Sequence, residues 1–146
     1  MLPRAYHGIV RVAVVAFLAL ILPAPAYALT VQFRTPSANI GCVYSSEPGL
    51  GGPFLRCDIL SGLKPKPRKP RGCELDWAFG FQLSARGRAQ TVCAGDTAVD
   101  RRAKTLRYGH AWTRGGFVCT SRLTGLRCKN RSGHGFVLSR GHSYRF

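Results

Sequence analysis

The sequence predicts an all-β fold, a small antiparallel barrel or sandwich stapled by three disulfides, and three observations lead to that expectation. Six cysteines, an even number, follow an apolar leader, and in an oxidising compartment such a set reads as a disulfide framework. Trp77, Phe79, Phe81 and Leu83 alternate with Ala78, Gly80, Gln82 and Ser84, the period of two that gives a strand one heavy apolar face. Further β-forming runs, Val31 to Arg34, Ile40 to Tyr44, Phe54 to Leu60, Gln90 to Cys93, Gly116 to Thr120 and Phe136 to Leu138, have glycines in nearly every gap between them.

Residues 1–28 have the three parts of a secretory signal peptide: a basic start with Arg4 and Arg11, the apolar run Val12 to Leu22, and the exit Ala26-Tyr27-Ala28. The run has 11 residues. A membrane-spanning helix needs about 20, and Pro23 and Pro25 end this one early. Cleavage is expected before Leu29, and no cysteine precedes Cys42 to carry a lipid. Residues 29–146 then form a single β-rich domain of 118 residues, free of the membrane and either periplasmic or secreted.

Spacing selects the disulfides. No short C-x-x-C pair occurs, so the cysteines Cys42, Cys57, Cys73, Cys93, Cys119 and Cys128 are not expected to hold a metal. Phe117 to Cys128 reads as a hairpin, with Cys119 opposite Cys128, Ser121 opposite Leu126 and a loop from Arg122 to Gly125. Cys42 to Cys57 repeats the plan through the glycine-rich turn 48–53, and both second strands carry Leu-Arg-Cys. The economical pairing is therefore Cys42–Cys57 and Cys119–Cys128, which leaves Cys73 with Cys93.

Two segments stand outside the strand pattern. Lys64-Pro-Lys-Pro-Arg-Lys-Pro-Arg71 is held extended and solvated by its prolines, which makes residues 61–72 a basic loop within the domain. Asp96 to Leu106 has room for one helical turn, with Asp96 or Asp100 as its cap.

The strings Phe33-Arg-Thr-Pro-Ser-Ala-Asn-Ile-Gly-Cys42, Leu55-Arg-Cys-Asp-Ile59, Cys73-Glu-Leu-Asp-Trp77, Val92-Cys-Ala-Gly-Asp-Thr97 and Gly133-His-Gly-Phe-Val-Leu-Ser-Arg140 span nearly all of the mature chain in order. In them the chain resembles a family of small exported, cysteine-linked bacterial proteins of unknown function. The resemblance implies secretion and a compact cysteine-linked domain, and implies no activity. The chain departs from the family pattern at Ala38, where glycine is usual, and in its basic proline run.

Charge is the strongest functional signal. Without Arg4 and Arg11 the mature chain keeps 20 basic and six acidic side chains, a formal charge of +14. Such a balance attracts polyanions: an anionic envelope polymer, a lipid head group or an acidic protein. Export argues against intracellular nucleic acid. The expected contact set is Lys64, Lys66, Arg68, Lys69 and Arg71, so the first reading is an exported, monomeric binding module with no cofactor and no metal.

Two other readings compete with it. His134 lies between two glycines and, with Asp96 and Ser139, supplies the residue types of a base, an orienting acid and a nucleophile for a small periplasmic hydrolase. No nucleophile-elbow motif accompanies them, and a turn-bonding role is the simpler one. Alternatively, the basic loop is the rigid element of an inhibitor of a secreted enzyme. Arg114-Gly-Gly-Phe-Val-Cys119 resembles an RNA-binding strand only loosely and is read as hairpin sequence.

Overall fold

A computed structural model describes residues 27–47 and 51–146. The expected leader therefore lies almost wholly outside the described residues, as does part of the turn 48–53. Disulfides link Cys42–Cys57, Cys73–Cys93 and Cys119–Cys128, as the spacing predicts. All the described regular structure is β.

The first sheet contains β1 (Thr30–Arg34), β2 (Ile40–Ser45), β3 (Phe54–Ile59), β4 (Gly80–Ser84), β5 (Gln90–Thr91) and β6 (Lys104–Thr105). The second contains β7 (Ala111–Arg114), β8 (Phe117–Arg122), β9 (Gly125–Lys129), β10 (Gly135–Leu138) and β11 (Tyr144–Arg145). The spatial order is β5-β4-β3-β2-β1-β6 in one sheet and β11-β10-β9-β8-β7 in the other. Each is an antiparallel meander, except that β6 returns to lie parallel to β1 on the far edge. Both sheets keep open edges, which makes the molecule a sandwich and not a closed barrel.

Alternation along the strands fills the space between the sheets. Cys42, Tyr44, Leu55, Cys57, Phe81 and Leu83 point inward from the first sheet and meet Phe117, Cys119, Leu126, Cys128, Phe136 and Leu138 from the second. Aromatic pairs cross the gap at centroid separations of 5.7 Å for Phe81–Phe136 and 6.0 Å for Tyr44–Phe117. The cross-strand disulfides do the same: the Sγ atoms of Cys57, Cys119 and Cys128 lie within 4.8 Å of one another, so the staple of one sheet packs on that of the other. In both hairpins the bridged residues are direct register partners with Cα atoms 4.1 Å apart, within reach of a bond without moving the backbone.

Several expected elements are adjusted. The strand expected from Trp77 begins at Gly80, because Ala78 adopts a left-handed conformation with φ 68° and breaks the ladder. Phe81 and Leu83 keep the apolar face, while Trp77 and Phe79 are half-buried outside the core. The hairpin loop narrows to Leu123 and Thr124, since Arg122 already pairs with Gly125. Asp96 to Leu106 forms no helix; Asp100 accepts a bond from the Arg102 amide in a tight turn.

That segment is instead a crossover. The chain leaves β5, passes over the outer face of the first sheet and enters β6. Gly41, Asp58 and Gly80 are neighbours in register across β2, β3 and β4 on that face. A Cβ on Gly41 would come within 2.5 Å of the Val99 Cα, and one on Gly80 would strike the Asp58 carboxylate. Gly41 thus clears the place where the crossover lies, and Gly80 leaves room for the Asp58 side chain that the crossover covers.

Two stability changes are expected. Ala38, in the β1–β2 loop, has φ 53°. A left-handed alanine is strained, so Ala38→Gly should raise stability by about 0.5–1 kcal/mol in urea unfolding, after allowing for the greater freedom of glycine in the unfolded chain. The Ser121 hydroxyl is fully buried without a hydrogen-bond partner. Ser121→Ala should therefore stabilise by about 1 kcal/mol, read as a higher melting temperature.

Candidate functional site

The basic loop is more closely held than its prolines imply. The Leu63 amide donates to the Ala78 carbonyl at 2.7 Å, the Lys64 carbonyl accepts from the Ser143 amide at 2.6 Å, and the Cys73–Cys93 bridge closes the far end. Trp77 stands in the middle. Its Nε1 donates to the Pro67 carbonyl at 3.3 Å, and the ammonium groups of Lys66 and Lys69 each lie 4.8 Å from its ring centroid. Two of the five expected contact cations thus pack on the indole ring, contacts the ring quadrupole favours by about 0.5–1 kcal/mol each at an exposed site. Lys64, Lys66, Arg68, Lys69 and Arg71 are all exposed.

The catalytic candidates are not brought together. His134 immediately precedes β10 and Ser139 immediately follows it. The four residues of β10 lie between them, and five steps at the strand rise set them roughly 16 Å apart. The Ser139 hydroxyl closes a local turn, donating to the His142 carbonyl and accepting from the His142 amide. Asp96 reaches neither residue; it is bound by Arg56.

Arg56 was absent from the sequence-based candidates, yet it organises the outer face of the first sheet. Its Nε and NH2 groups form a two-toothed pair with Asp58 at 3.1 and 2.8 Å. NH1 reaches the Asp96 carboxylate at 2.9 Å, and NH2 also donates to the Asp96 carbonyl at 2.7 Å. The Ala98 amide completes the shell of Asp58 at 2.7 Å. Burial pushes the Asp58 carboxyl up, opposed by Arg56 and the Ala98 N–H. Every contact made to it is an N–H donor, so the geometry is that of a carboxylate. Burial works to lower the Arg56 value, but its bonds to Asp58 and Asp96 outweigh burial and raise it. The exposed Asp96 carboxyl is lowered by its bond to Arg56 and by the attraction of that charge. The sequence signal was the Arg-x-Asp spacing on β3, which puts both side chains on one face of a strand.

A second convergence lies at one end of the sandwich, where the β1–β2 loop, the β8–β9 turn and the β10–β11 turn meet. A cleft of about 290 Å³ opens there, lined by Ser37, Asn39, Tyr108, Arg122, Thr124 and Arg140 among others. A shallower hollow of about 490 Å³ shares Ser37, Asn39 and Arg140 with it and adds Arg34 and Arg101. No carboxylate lines either one. Sequence reading missed this site because its arginines are scattered from residue 34 to residue 140.

Fold and surface together define a disulfide-stapled β-sandwich with a basic exterior and no assembled catalytic group among the described residues. The chain belongs to the family described as "Family of unknown function (DUF6636)", whose model matches residues 13–146. No curated protein and no solved structure matches it. Its three disulfides fit an oxidising environment, and no helix among the described residues is long and apolar enough to cross a membrane.

The Arg56 centre yields a prediction. Arg56→Met leaves Asp58 buried without its cation and should destabilise by about 3–5 kcal/mol in denaturant unfolding. Asp96→Asn should be mild and pH-dependent. Because the folded carboxyl is lowered, its contribution is fully present above the usual aspartate range and disappears as pH falls through the lowered value. The stability gap between wild type and variant should therefore close on acidification, as followed by unfolding at stepped pH.

Proposed function

We propose that the mature chain is an exported binding module for an anionic component of the cell envelope. One observation carries the reading: both ion pairs found among the described residues belong to Arg56. The other arginines and lysines make no carboxylate contact there, so the positive field of the exterior is not neutralised from within. Solubility alone asks for a net charge of about 2–8 in a small domain, well short of the formal mature value of +14.

The loop from Lys64 to Arg71 is the first contact surface in this reading. Its anchoring to Trp77, Ala78 and Ser143 limits the ordering cost of binding, which favours affinity. The same anchoring supplies a reporter, since a polyanion that draws Lys66 and Lys69 away from the indole alters Trp77 emission. Trp112→Phe leaves Trp77 as the sole tryptophan.

Mature protein is expected to bind heparin, lipopolysaccharide or vesicles containing anionic lipid at low salt. Affinity should fall steeply towards physiological salt. Replacing the five loop cations by glutamine should weaken heparin binding by about tenfold or more and flatten the salt dependence. Indifference of the wild type to all three probes at low salt would sink the proposal.

A further inference from the structure

We infer that the cleft between the β1–β2 loop, the β8–β9 turn and the β10–β11 turn is a specific site for a small acidic sugar, one carrying a single carboxylate or phosphate. The inference rests on the anionic-ligand reading above and locates a selective site away from the Lys64–Arg71 loop.

The walls of the cleft are fixed before any ligand arrives. Asn39 donates through Nδ2 to the Ser61 hydroxyl at 3.1 Å and accepts from the Ser61 amide at 3.2 Å. The hydroxyls of Thr35 and Ser37 are 3.3 Å apart, and Ser37 Oγ also accepts from the Asn39 amide. Ser139 is satisfied within its own turn. Close packing holds the β8–β9 turn as well: a Cβ at Gly125, where φ is 139°, would strike the Leu138 carbonyl.

Against those satisfied walls, the guanidinium groups of Arg122 and Arg140 have no acceptor among the described residues. Both are exposed at the rim, and Arg140 is shared between the two hollows. Arg34 adds a third charge. Its Nε donates to the Arg101 carbonyl at 3.1 Å and its NH1 to the Thr35 carbonyl at 3.4 Å, so it is oriented by neutral groups and its charge stays uncompensated. Planar guanidinium forks without a carboxylate partner match the two-oxygen edge of a carboxylate or phosphate.

The remaining surface selects the body of the ligand. Tyr108 and Leu123 are exposed beside the free hydroxyl of Thr124, and all three line the cleft. A ring with an apolar face and hydroxyl edges is complementary to that mixture. A bare inorganic anion would leave the aromatic and aliphatic wall unused. The cleft, about 290 Å³, is near the lower end of small-ligand pockets and suits a ring-sized ligand better than the cross-section of a polymer.

The test is a heteronuclear NMR titration of mature protein with glucuronate, glucose 6-phosphate, neutral glucose and inorganic phosphate. Saturable shifts at the amides of Asn39, Thr124 and Gly141 are expected with one or both acidic sugars and none with glucose. Preference for glucuronate points to a carboxylated polymer unit; preference for glucose 6-phosphate points to a phosphorylated head group or free sugar phosphate. Combined Arg122→Gln and Arg140→Gln should weaken binding at least tenfold with the dispersed spectrum retained. No saturable shift, shifts confined to residues 64–71, or inorganic phosphate binding as tightly as the acidic sugars would overturn the inference. Heparin binding separates it from the broader proposal. If heparin binds through the loop and the double variant leaves every ligand unaffected, the cleft inference fails and the polyanion reading stands.

Discussion

Asp58 is the constraint from which much of the remaining geometry follows. A carboxylate 1% exposed on a sheet face is stable only when surrounded by donors, and here Arg56 and the Ala98 amide provide them. The Ala98 contact fixes where the crossover lies, and the crossover decides where β6 enters the sheet. Beside β1, the Leu106 amide donates to the Arg34 carbonyl at 2.8 Å while the Arg101 carbonyl receives the Arg34 side chain at 3.1 Å. The orientation of a rim arginine thus traces back, through the short run from Ala98 to Arg101, to one buried acid on the opposite side of β2.

The core has a different logic. A small sandwich buries a limited apolar area, and its two sheets are joined by few covalent turns. Each cross-strand disulfide constrains one hairpin of the unfolded chain, a stabilisation of roughly 2–4 kcal/mol on the loop-entropy view. Their packing adds a second effect. Because Cys57 meets Cys119 and Cys128 in the middle of the core, the sulfur atoms also fill the space between sheets, beside the ring pairs Phe81–Phe136 and Tyr44–Phe117. Three sulfurs so close could resemble a metal site in isolation, but all are oxidised and offer no thiolate.

The sequence showed what depends on local spacing and hid what depends on long-range pairing. Cys119 opposite Cys128 and Ser121 opposite Leu126 were legible because the short spacing of the two cysteines about a glycine-containing turn sets the register, although the loop itself is two residues shorter than expected. β6 and β11 were invisible because two residues carry no period, and β7 because most of it is exposed. Trp77 misled because alternation cannot reveal that Ala78 takes a left-handed turn. Ala38 is the opposite case: its departure from the glycine usual in the resembling family marks a position where the backbone is left-handed. Asp96 was singled out for its chemistry and serves instead as the outer partner of Arg56, a relation separated by 40 residues that no local pattern could carry.

The scarcity of carboxylates links fold to the proposed function. Of the six acids in the chain, Asp58 and Asp96 are occupied by Arg56, and Asp100 closes the turn that leads into β6. These uses are structural, and none of the three acids lines the cleft or its neighbouring hollow. A chain that used its acids to neutralise its arginines one by one would bring carboxylates to Arg34, Arg122 and Arg140 as well. Here Arg34 is held by peptide carbonyls, which fix a guanidinium without cancelling its charge. Like charges left this way repel one another and oppose folding. Three covalent cross-links and a buried ion pair on β3, beneath the crossover, are the kinds of interaction that let a small domain tolerate such repulsion. The positive potential at the sandwich end is therefore compatible with a stable fold, and in the proposed reading it is the feature that an anionic ligand would recognise.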